Sequence, residues 1–295
     1  MRLKIVKKIL VVIYLREEWV FLYLAIYLNI LQLNQLKMKR RSFIKTTAMG
    51  SIAIGLNGCN SKKKSHILTL SFDDGFKKSF HEIADIYERY GLSSCLNVIA
   101  SAHLNQFQSP NEYHKDNRGD FNDWNALKKR GHEIMPHSWD HSHIAQMPLD
   151  QAKADIERCL KYFEDHLEGY NASEAVYNFA YNESTPELEQ FALTKVRAIR
   201  TQGDTAWNPI PTSPAPVRLG CWSFGPDNAD NWVEEQINGF LATPGGWLIL
   251  NLHGLDKEGW GPVTSEYLDN LLKRMVKVDY LEVLPTGVVL KRSSV

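Results

Sequence analysis

Apolar and polar positions follow two different spacings along residues 66–290. Short apolar runs, such as residues 66–72 (HILTLSF), indicate buried strands. Spacings of three and four indicate an amphipathic helix that begins near Phe76 and ends near Tyr90. Further strands are predicted at 94–100, 132–136, 174–181, 196–201, 217–224, 247–253 and 280–284. Further helices are predicted at 121–130, 152–167, 185–194 and 265–276.

This alternation of strands and helices over about 230 residues predicts a parallel sheet covered by helices. The strand runs are apolar throughout, which is typical of a sheet that is buried on both faces. A barrel and an open doubly wound sheet are both compatible with the pattern. Residues 202–216 form a long proline-rich loop, and we expect such a loop to act as a lid.

The chain before residue 60 has a different pattern. Its two apolar stretches, 9–15 and 19–33, are interrupted by polar residues, and neither reaches the roughly 18 apolar residues of a membrane-spanning helix. Residues 38–59 combine a charged start with a short apolar run, as export signals do. Residues 1–37 are then either an upstream extension or an anchor, and residues 60–65 a short tether to a domain at 66–295.

The signal segment also contains two recognisable motifs. Residues 40–45 (RRSFIK) resemble a bacterial twin-arginine export signal. Residues 56–59 (LNGC) resemble a lipoprotein cleavage box, in which Cys59 would carry the lipid. We therefore expect an exported protein in the periplasm or cell envelope, with membrane attachment through Cys59.

Charge is distributed unevenly, although the formal net charge is +0. Residues 1–58 hold ten Lys and Arg against two acidic residues, which leaves 24 basic and 32 acidic residues in 59–295, a net charge of −8. An acidic domain argues against a nucleic-acid or anionic membrane surface. The four cysteines form no CxxC pair, so a zinc-finger or thioredoxin-type site has no support.

Three polar clusters stand at the ends of predicted strands: residues 71–75 (SFDDG), 137–141 (HSWDH) and 250–254 (LNLHG). In parallel α/β domains the carboxyl ends of the strands lie on one face, which holds the active site. We therefore expect the two aspartates of the first cluster to meet the three histidines of the other two.

These residue types indicate hydrolysis assisted by a metal. Two histidines at i and i+4 lie on one side of a helical turn and can share a metal. A carboxylate completes a set of two histidines and one acid, the pattern of a catalytic zinc site with an open position for water. A second carboxylate can take a proton from that water, and a further histidine can give one to the leaving group.

The three clusters resemble the motifs of polysaccharide deacetylases of carbohydrate esterase family four. The resemblance covers about residues 66–285 and implies a distorted (β/α) barrel with about seven parallel strands in a single domain. It implies that Asp73 is the general base and His253 the general acid. It further implies that a divalent metal, zinc in the first instance, is held by Asp74, His137 and His141.

The sequence departs from this family at two motifs. Residues 178–183 (NFAYNE) lack the arginine that orients the base, and Asn182 replaces a proline. Arg200 either substitutes for that arginine or is a solvated cation. We expect the backbone N–H groups of Asn182 or Glu183 to assist the oxyanion. An aspartate partner for His253 is not evident, and Asp204 is a poor candidate.

The leading functional interpretation is N-deacetylation of an amino-sugar polymer or oligomer, with a carbohydrate as the partner. Three alternatives remain: an O-acetyl polysaccharide esterase, a carbohydrate-binding pseudoenzyme and a hydrolase of a different amide. Of the tryptophans at 139, 207 and 260, we expect Trp260 to contact the sugar because two glycines flank it in a loop beside His253.

Overall fold

The computed structural model describes residues 64–108 and 118–292. The expected extension at 1–37, the signal at 38–59 with Cys59, and most of the tether at 60–65 lie outside the described residues. Within the described part, no helix has the length and apolar character needed to cross a membrane.

The described residues form nine strands, and seven of them are parallel neighbours in the order β3-β2-β1-β8-β7-β5-β4. The strands are β1 (His66–Phe72), β2 (Cys95–Val98), β3 (Glu133–Pro136), β4 (Val176–Asn178), β5 (Ala198–Gln202), β6 (Trp207–Asn208), β7 (Val217–Ser223), β8 (Gly246–Leu252) and β9 (Leu281–Val283). The two end strands approach each other without a backbone ladder. Instead, the Asn178 side-chain amide donates to the Pro136 carbonyl at 3.1 Å. The result is the predicted (β/α) barrel, nearly closed.

Helices cover the outside of this barrel. They are α1 (Lys77–Glu88), α2 (Phe121–Lys129), α3 (Leu149–His166), α4 (Pro186–Leu193), α5 (Asp230–Leu241), α6 (Ser265–Met275) and α7 (Thr286–Arg292). Local sequence explains several of their ends. Asp120 and Asp123 form a reciprocal capping box at the start of α2, and Thr264 caps α6 by accepting from the Tyr267 N–H.

Alternation along the strands divides the core into two layers. Leu68, Leu70 and Phe72 of β1 pack in the large cluster that also contains the helix side chains, so they face outward. Ile67 belongs to a second, smaller cluster inside the barrel. That inner cluster is closed at the amino-terminal end of the strands by Val289 and Leu290 of α7.

Two short strands fill gaps at the amino-terminal end of the barrel. β9 pairs with His66–Leu68 of β1, and β6 pairs antiparallel with Trp247 and Leu248 of β8. β6 belongs to the proline-rich loop, so the expectation of a lid is wrong: this part of the loop adds to the sheet, away from the Leu252 end of β8. Helix α5 was not predicted, although its buried residues Val233, Ile237 and Phe240 recur at helical spacing.

Candidate active site

The three polar clusters meet at the carboxyl ends of β1, β3 and β8, as predicted. Together they line a pocket of about 400 Å³. The pocket is lined by Asp73, Asp74, His137, His141, Tyr181, Asn182, Glu183, Ser223, Asn251, His253 and Trp260. All five site residues expected from the sequence are therefore in one cavity, although they are separated by up to 180 residues along the chain.

Asp74, His137 and His141 have the geometry of a metal site. Asp74 Oδ1 lies 3.3 Å from Nε2 of His137 and 3.3 Å from Nε2 of His141. Tetrahedral zinc with bonds of about 2.05 Å would place its ligand atoms about 3.3 Å apart. The ligand atoms of the three buried side chains all lie within 4.8 Å of one another. These three residues fit a divalent ion.

The orientation of His137 supports the same conclusion. Its Nδ1 lies 3.1 Å from the carbonyl oxygen of Asn178. In the tautomer that carries the hydrogen on Nδ1, this N–H donates to the carbonyl, and Nε2 keeps a lone pair that can bind a metal. That Nε2 is buried and has no hydrogen-bond partner among the described residues. A buried nitrogen lone pair that faces carboxylate oxygens and receives no hydrogen bond is costly, and a metal ion would remove this cost.

The loops that carry these groups have unusual backbone conformations. Positive φ angles occur at Asp74 (81°), Ser138 (65°) and His141 (61°). The pair of histidines therefore does not lie on a helical turn, and that part of the prediction is wrong. The reason is local: the His141 N–H donates to Ser138 Oγ at 2.9 Å, which closes a tight loop instead of a helix. Such strain in non-glycine residues is concentrated at functional sites.

Asp73 lies below the candidate metal site and accepts three hydrogen bonds. They come from Nη2 of Arg200 at 2.6 Å, Nδ2 of Asn97 at 2.7 Å and Nδ2 of Asn251 at 2.7 Å. Burial by itself raises the pKa of Asp73, but the positive charge of Arg200, followed by His137, outweighs it and lowers the pKa. Asp73 is thus ionised near neutral pH.

Arg200 answers one of the questions that the sequence left open. Its side chain is fully buried in the middle of β5 and paired with Asp73, so it is not a solvated cation. Its guanidinium donates to Asp73, the residue expected to be the base. The sequence did not show this, because one arginine at a predicted strand end has no distinctive pattern.

His253 lines the same pocket and directly follows β8. Trp260 contacts it edge-on, with ring centroids 5.6 Å apart and an interplanar angle of 86°. His253 Nδ1 has no hydrogen-bond partner in the described part of the chain, which agrees with the absence of an evident aspartate. Burial lowers the pKa of His253, although Asp74 and Asp73 act in the opposite direction.

The expected oxyanion donors are not available. The N–H of Asn182 donates to the Phe179 carbonyl at 3.1 Å and the N–H of Glu183 to the Ala180 carbonyl at 3.0 Å. The expectation that either group assists an oxyanion is therefore wrong. Asn182 contributes its side chain instead, which donates to Oδ1 of Asn251 at 3.0 Å and so orients one of the partners of Asp73.

Three asparagines were not predicted to be functional residues: Asn97, Asn178 and Asn251. All three are buried, and they connect the strands below the pocket. Asn178 donates to Asn97 at 3.0 Å, and Asn97 also donates to Ser71 at 2.8 Å. Each of the three lies alone in an otherwise apolar strand. Because an amide buried in a core needs a hydrogen-bond partner, this pattern could have indicated a polar network between the strands.

The three tryptophans differ in position. Trp260 lines the pocket, as expected. Trp139 is buried under the histidine loop, where the guanidinium of Arg158 lies 3.8 Å from its ring centroid. Trp207 is 44% exposed on β6, near the other end of the barrel. Only Trp260 of these three is placed to contact a molecule in the pocket.

Comparisons with known proteins agree with this architecture. The family model described as polysaccharide deacetylase matches residues 60–192. That range includes Asp73, Asp74, His137 and His141, whereas Arg200 and His253 lie beyond it. No curated protein matched the sequence.

Three solved structures are similar in fold. A proposed polysaccharide deacetylase from Mycobacterium smegmatis has 12% identity and a TM-score of 0.56, covering 79% of this chain and 91% of that one. A family 4 acetyl xylan esterase from Clostridium thermocellum, solved with a cobalt ion, has 20% identity and a TM-score of 0.50, with coverages of 77% and 91%. The Xyl-CE4 domain of a xylanase from the hindgut metagenome of Trinervitermes trinervoides has 13% identity and a TM-score of 0.50, also covering 77% and 91%. At these identities the similarity establishes the barrel fold.

Proposed function

We propose that this chain is a metal-dependent hydrolase that removes acetyl groups from a carbohydrate, because the polysaccharide deacetylase family model matches residues 60–192. The proposed substrate is the N-acetyl groups of an amino-sugar polymer or oligomer. One observation carries the proposal. Asp74 Oδ1 is equidistant from the two histidine Nε2 atoms, and the buried, ionised Asp73 lies in the same pocket.

The residues divide into holders of the metal and carriers of protons. Asp74, His137 and His141 would hold a divalent ion, for which zinc is our first candidate. When bound, this ion would supply Lewis acidity toward an acetyl carbonyl and would lower the pKa of water. Asp73 would accept a proton from the attacking water, because its three donors keep it ionised and fixed in position.

His253 would act on the opposite side of the acetyl group. An amine is a poor leaving group unless it is protonated, so N-deacetylation needs a proton donor next to the nitrogen. His253 lines the same pocket as Asp73, and Trp260 packs against its ring. Carbon–nitrogen bond cleavage would thus end with a proton passing from His253 to the amine while acetate leaves.

The test is an acetate-release assay on the purified protein. Chitin oligomers and acetylated xylan would be compared, each with zinc, with cobalt and with a chelator. We expect release from chitin oligomers that the chelator abolishes and that Asp73→Asn reduces by about 1,000-fold. Release from xylan alone would replace our proposal with O-acetyl esterase activity. Sugar binding without release at saturating metal would identify a pseudoenzyme.

We also propose that the protein is exported and lipid-anchored. The twin arginines at 40–41 and the LNGC segment that ends at Cys59 support this proposal. Cell fractionation tests it: the wild type should be found in the cell envelope, and a protein in which both arginines are replaced by lysine should remain in the cytoplasm. Cys59→Ser should be exported but should lose its lipid label.

A further inference from the structure

The large apolar side chains that are exposed in the described part of the chain are unevenly distributed. There are six of them, and four lie toward the amino-terminal end of the barrel: Trp207, Val276, Tyr280 and Val288, each between 39% and 44% exposed. They come from β6, from the loop between α6 and β9, and from α7, which closes that end. A concentration of exposed apolar side chains marks an interaction surface more clearly than isolated ones do. We name these four residues the basal face.

A row of aromatic rings connects two members of the basal face. The ring centroid of Phe240 lies 6.3 Å from that of Trp207 and 5.0 Å from that of His66. The His66 ring in turn lies 5.0 Å from the Tyr280 ring. The inner two rings are buried and support the outer two, which are exposed. Tryptophan and tyrosine are enriched where proteins meet membrane interfaces, because each has an apolar body and one polar group that can stay in water.

The chain enters the described structure beside this face. The His66 N–H donates to the Tyr280 carbonyl at 3.1 Å, and the Lys64 ammonium donates to the Leu281 carbonyl at 3.0 Å. Cys59 precedes Lys64 by five positions, and five residues of extended chain span at most about 18 Å. A lipid on Cys59 would therefore hold the basal face, and not the pocket, close to a bilayer.

The charge of the chain favours the same orientation. Lysines occupy positions 62–64, and residues 60–66 contain no acidic residue. Lysines next to a bilayer that contains anionic lipids are attracted to it. Residues 59–295 as a whole carry a net charge of −8, so other faces of the domain are repelled by the same lipids. Attraction at the entry point and repulsion elsewhere select one face of the domain.

We infer that the basal face rests on the surface of a phospholipid bilayer, with the Trp207 and Tyr280 rings at its interface. This inference rests on the proposed lipid anchor at Cys59. The pocket lies at the opposite ends of the strands, and the seven residues of β1, in a strand tilted as in other barrels, separate the two ends by roughly 20 Å. The pocket thus opens away from the bilayer, toward glycan polymers outside it and not toward the sugar headgroups of its lipids.

The experiment measures the quenching of tryptophan fluorescence by brominated lipids. The full chain, isolated from the cell envelope, would be incorporated into phosphatidylethanolamine–phosphatidylglycerol vesicles with brominated acyl chains, which quench only tryptophans that lie close to them. All proteins would carry Trp19→Phe, because that tryptophan precedes Cys59. We expect Trp207→Phe to lower the bromine-dependent quenching by about threefold or more. Trp260→Phe, the matched control at the pocket end, should leave the quenching unchanged.

Hydrogen exchange provides a second measurement that needs no variant at the basal face. Amides of residues 205–208 and 276–280 should exchange about threefold or more slowly on vesicles than in nonionic detergent, because the bilayer covers them. Amides of residues 253–261, at the pocket end, should exchange at the same rate in both. Neither measurement depends on acetate release.

Mass spectrometry of Cys59 separates this inference from the proposed anchor. If Cys59 carries no lipid, the anchor proposal fails, and quenching that depends on Trp207 would still support the basal face. A lipid on Cys59 together with equal quenching in Trp207→Phe and its parent would overturn the basal face and leave the anchor intact. Quenching lost in Trp260→Phe would also overturn it, because the pocket would then face the bilayer. So would a dimer in sedimentation that Tyr280→Ala converts to a monomer, which would assign the face to a second copy of the chain.

Discussion

The two ends of the barrel interior are built from the same strands but from different chemistry. Toward the amino-terminal ends, the inward residues are apolar, including Val176, Ala198 and Ile249. Two positions further along the same strands, the inward residues are Asn178, Arg200 and Asn251, which connect to Asp73 directly or through Asn97. The change from apolar to polar therefore occurs within one side-chain repeat of each strand.

The apolar end mainly stabilises the fold, whereas the polar end holds the residues of the candidate active site. Burial of apolar side chains at the lower end stabilises the fold at about 25 cal/mol per Å². A buried ion pair such as Arg200–Asp73 contributes little net stability, because desolvation offsets most of the attraction. The polar end also contains the strained residues Asp74, Ser138 and His141. We infer that apolar burial at one end of the barrel offsets the unfavourable free energy of the polar, strained residues at the other end.

The largest expected effect comes from the three candidate metal ligands at the polar end. His137→Ala removes one of three donors, so the bound metal should be lost and acetate release should fall by more than about 1,000-fold. Metal content per chain would be measured by mass spectrometry after dialysis, together with acetate release. His166→Ala, an exposed histidine on α3, is the control and should retain both metal and activity. Full metal content in His137→Ala would contradict the ligand assignment.

The second prediction concerns a variant that removes the Arg200–Asp73 ion pair below the candidate metal site. Arg200→Met leaves Asp73 buried without its cation, so the free energy of unfolding should fall by about 4 kcal/mol. The pKa of Asp73 should rise, which moves the acidic limb of the pH–rate profile to higher pH. Urea unfolding and the pH dependence of kcat/KM would measure the two effects.

Two further variants sharpen this second test. Arg218→Met, at an exposed arginine of β7 that pairs with Glu189 at 2.9 Å, should cost less than about 1 kcal/mol. Arg200→Met combined with Asp73→Asn should regain part of the lost stability, because no buried charge is then left alone. If the double variant were less stable than the sum of the single losses, the ion pair would not be the cause.

The third prediction concerns the apolar end. Ile67→Ala, at a buried residue of the inner cluster near the start of β1, should reduce the free energy of unfolding by about 3 kcal/mol through lost burial and the remaining cavity. Metal affinity and kcat/KM should stay within twofold of wild type, since the polar layer is not touched. A loss of metal affinity equal to that of His137→Ala would show that the two ends are not separable.

Much of this division could be predicted from sequence, and its limits have physical causes. The apolar strand runs and the three polar strand ends predicted the barrel and the convergence of Asp73, Asp74 and His253 correctly. The partner of Asp73 could not be chosen, because only the folded barrel brings Arg200 of β5 across its interior to Asp73. The loop conformation at His141 was missed, because a single bond to Ser138 decides it and the i, i+4 spacing does not reveal that bond.

The smallest expected effect is a difference in pH dependence between the two ends. Glu133, at the start of β3, has its carboxylate enclosed by the Thr286 hydroxyl and the Gly287 N–H, and burial raises its pKa above the ordinary 4.5. At the other end, the pKa of Asp73 lies below its ordinary 3.8, because Arg200 outweighs burial. The two carboxylates should therefore influence stability in opposite directions.

The signs follow from proton linkage. The stabilising contribution of Glu133 is complete below pH 4.5 and is lost as pH rises through its folded pKa, so wild type should lose stability relative to Glu133→Gln as pH rises above about 4.5. The stabilising contribution of Asp73 is complete above pH 3.8 and is lost as pH falls through its folded pKa. Wild type should therefore lose stability relative to Asp73→Asn below about pH 4. Urea unfolding of chelator-treated protein across pH 2–8 measures both slopes. Slopes of the same sign would mean that burial, and not Arg200, controls the charge of Asp73, and Asp73 would then be protonated where a general base must be ionised.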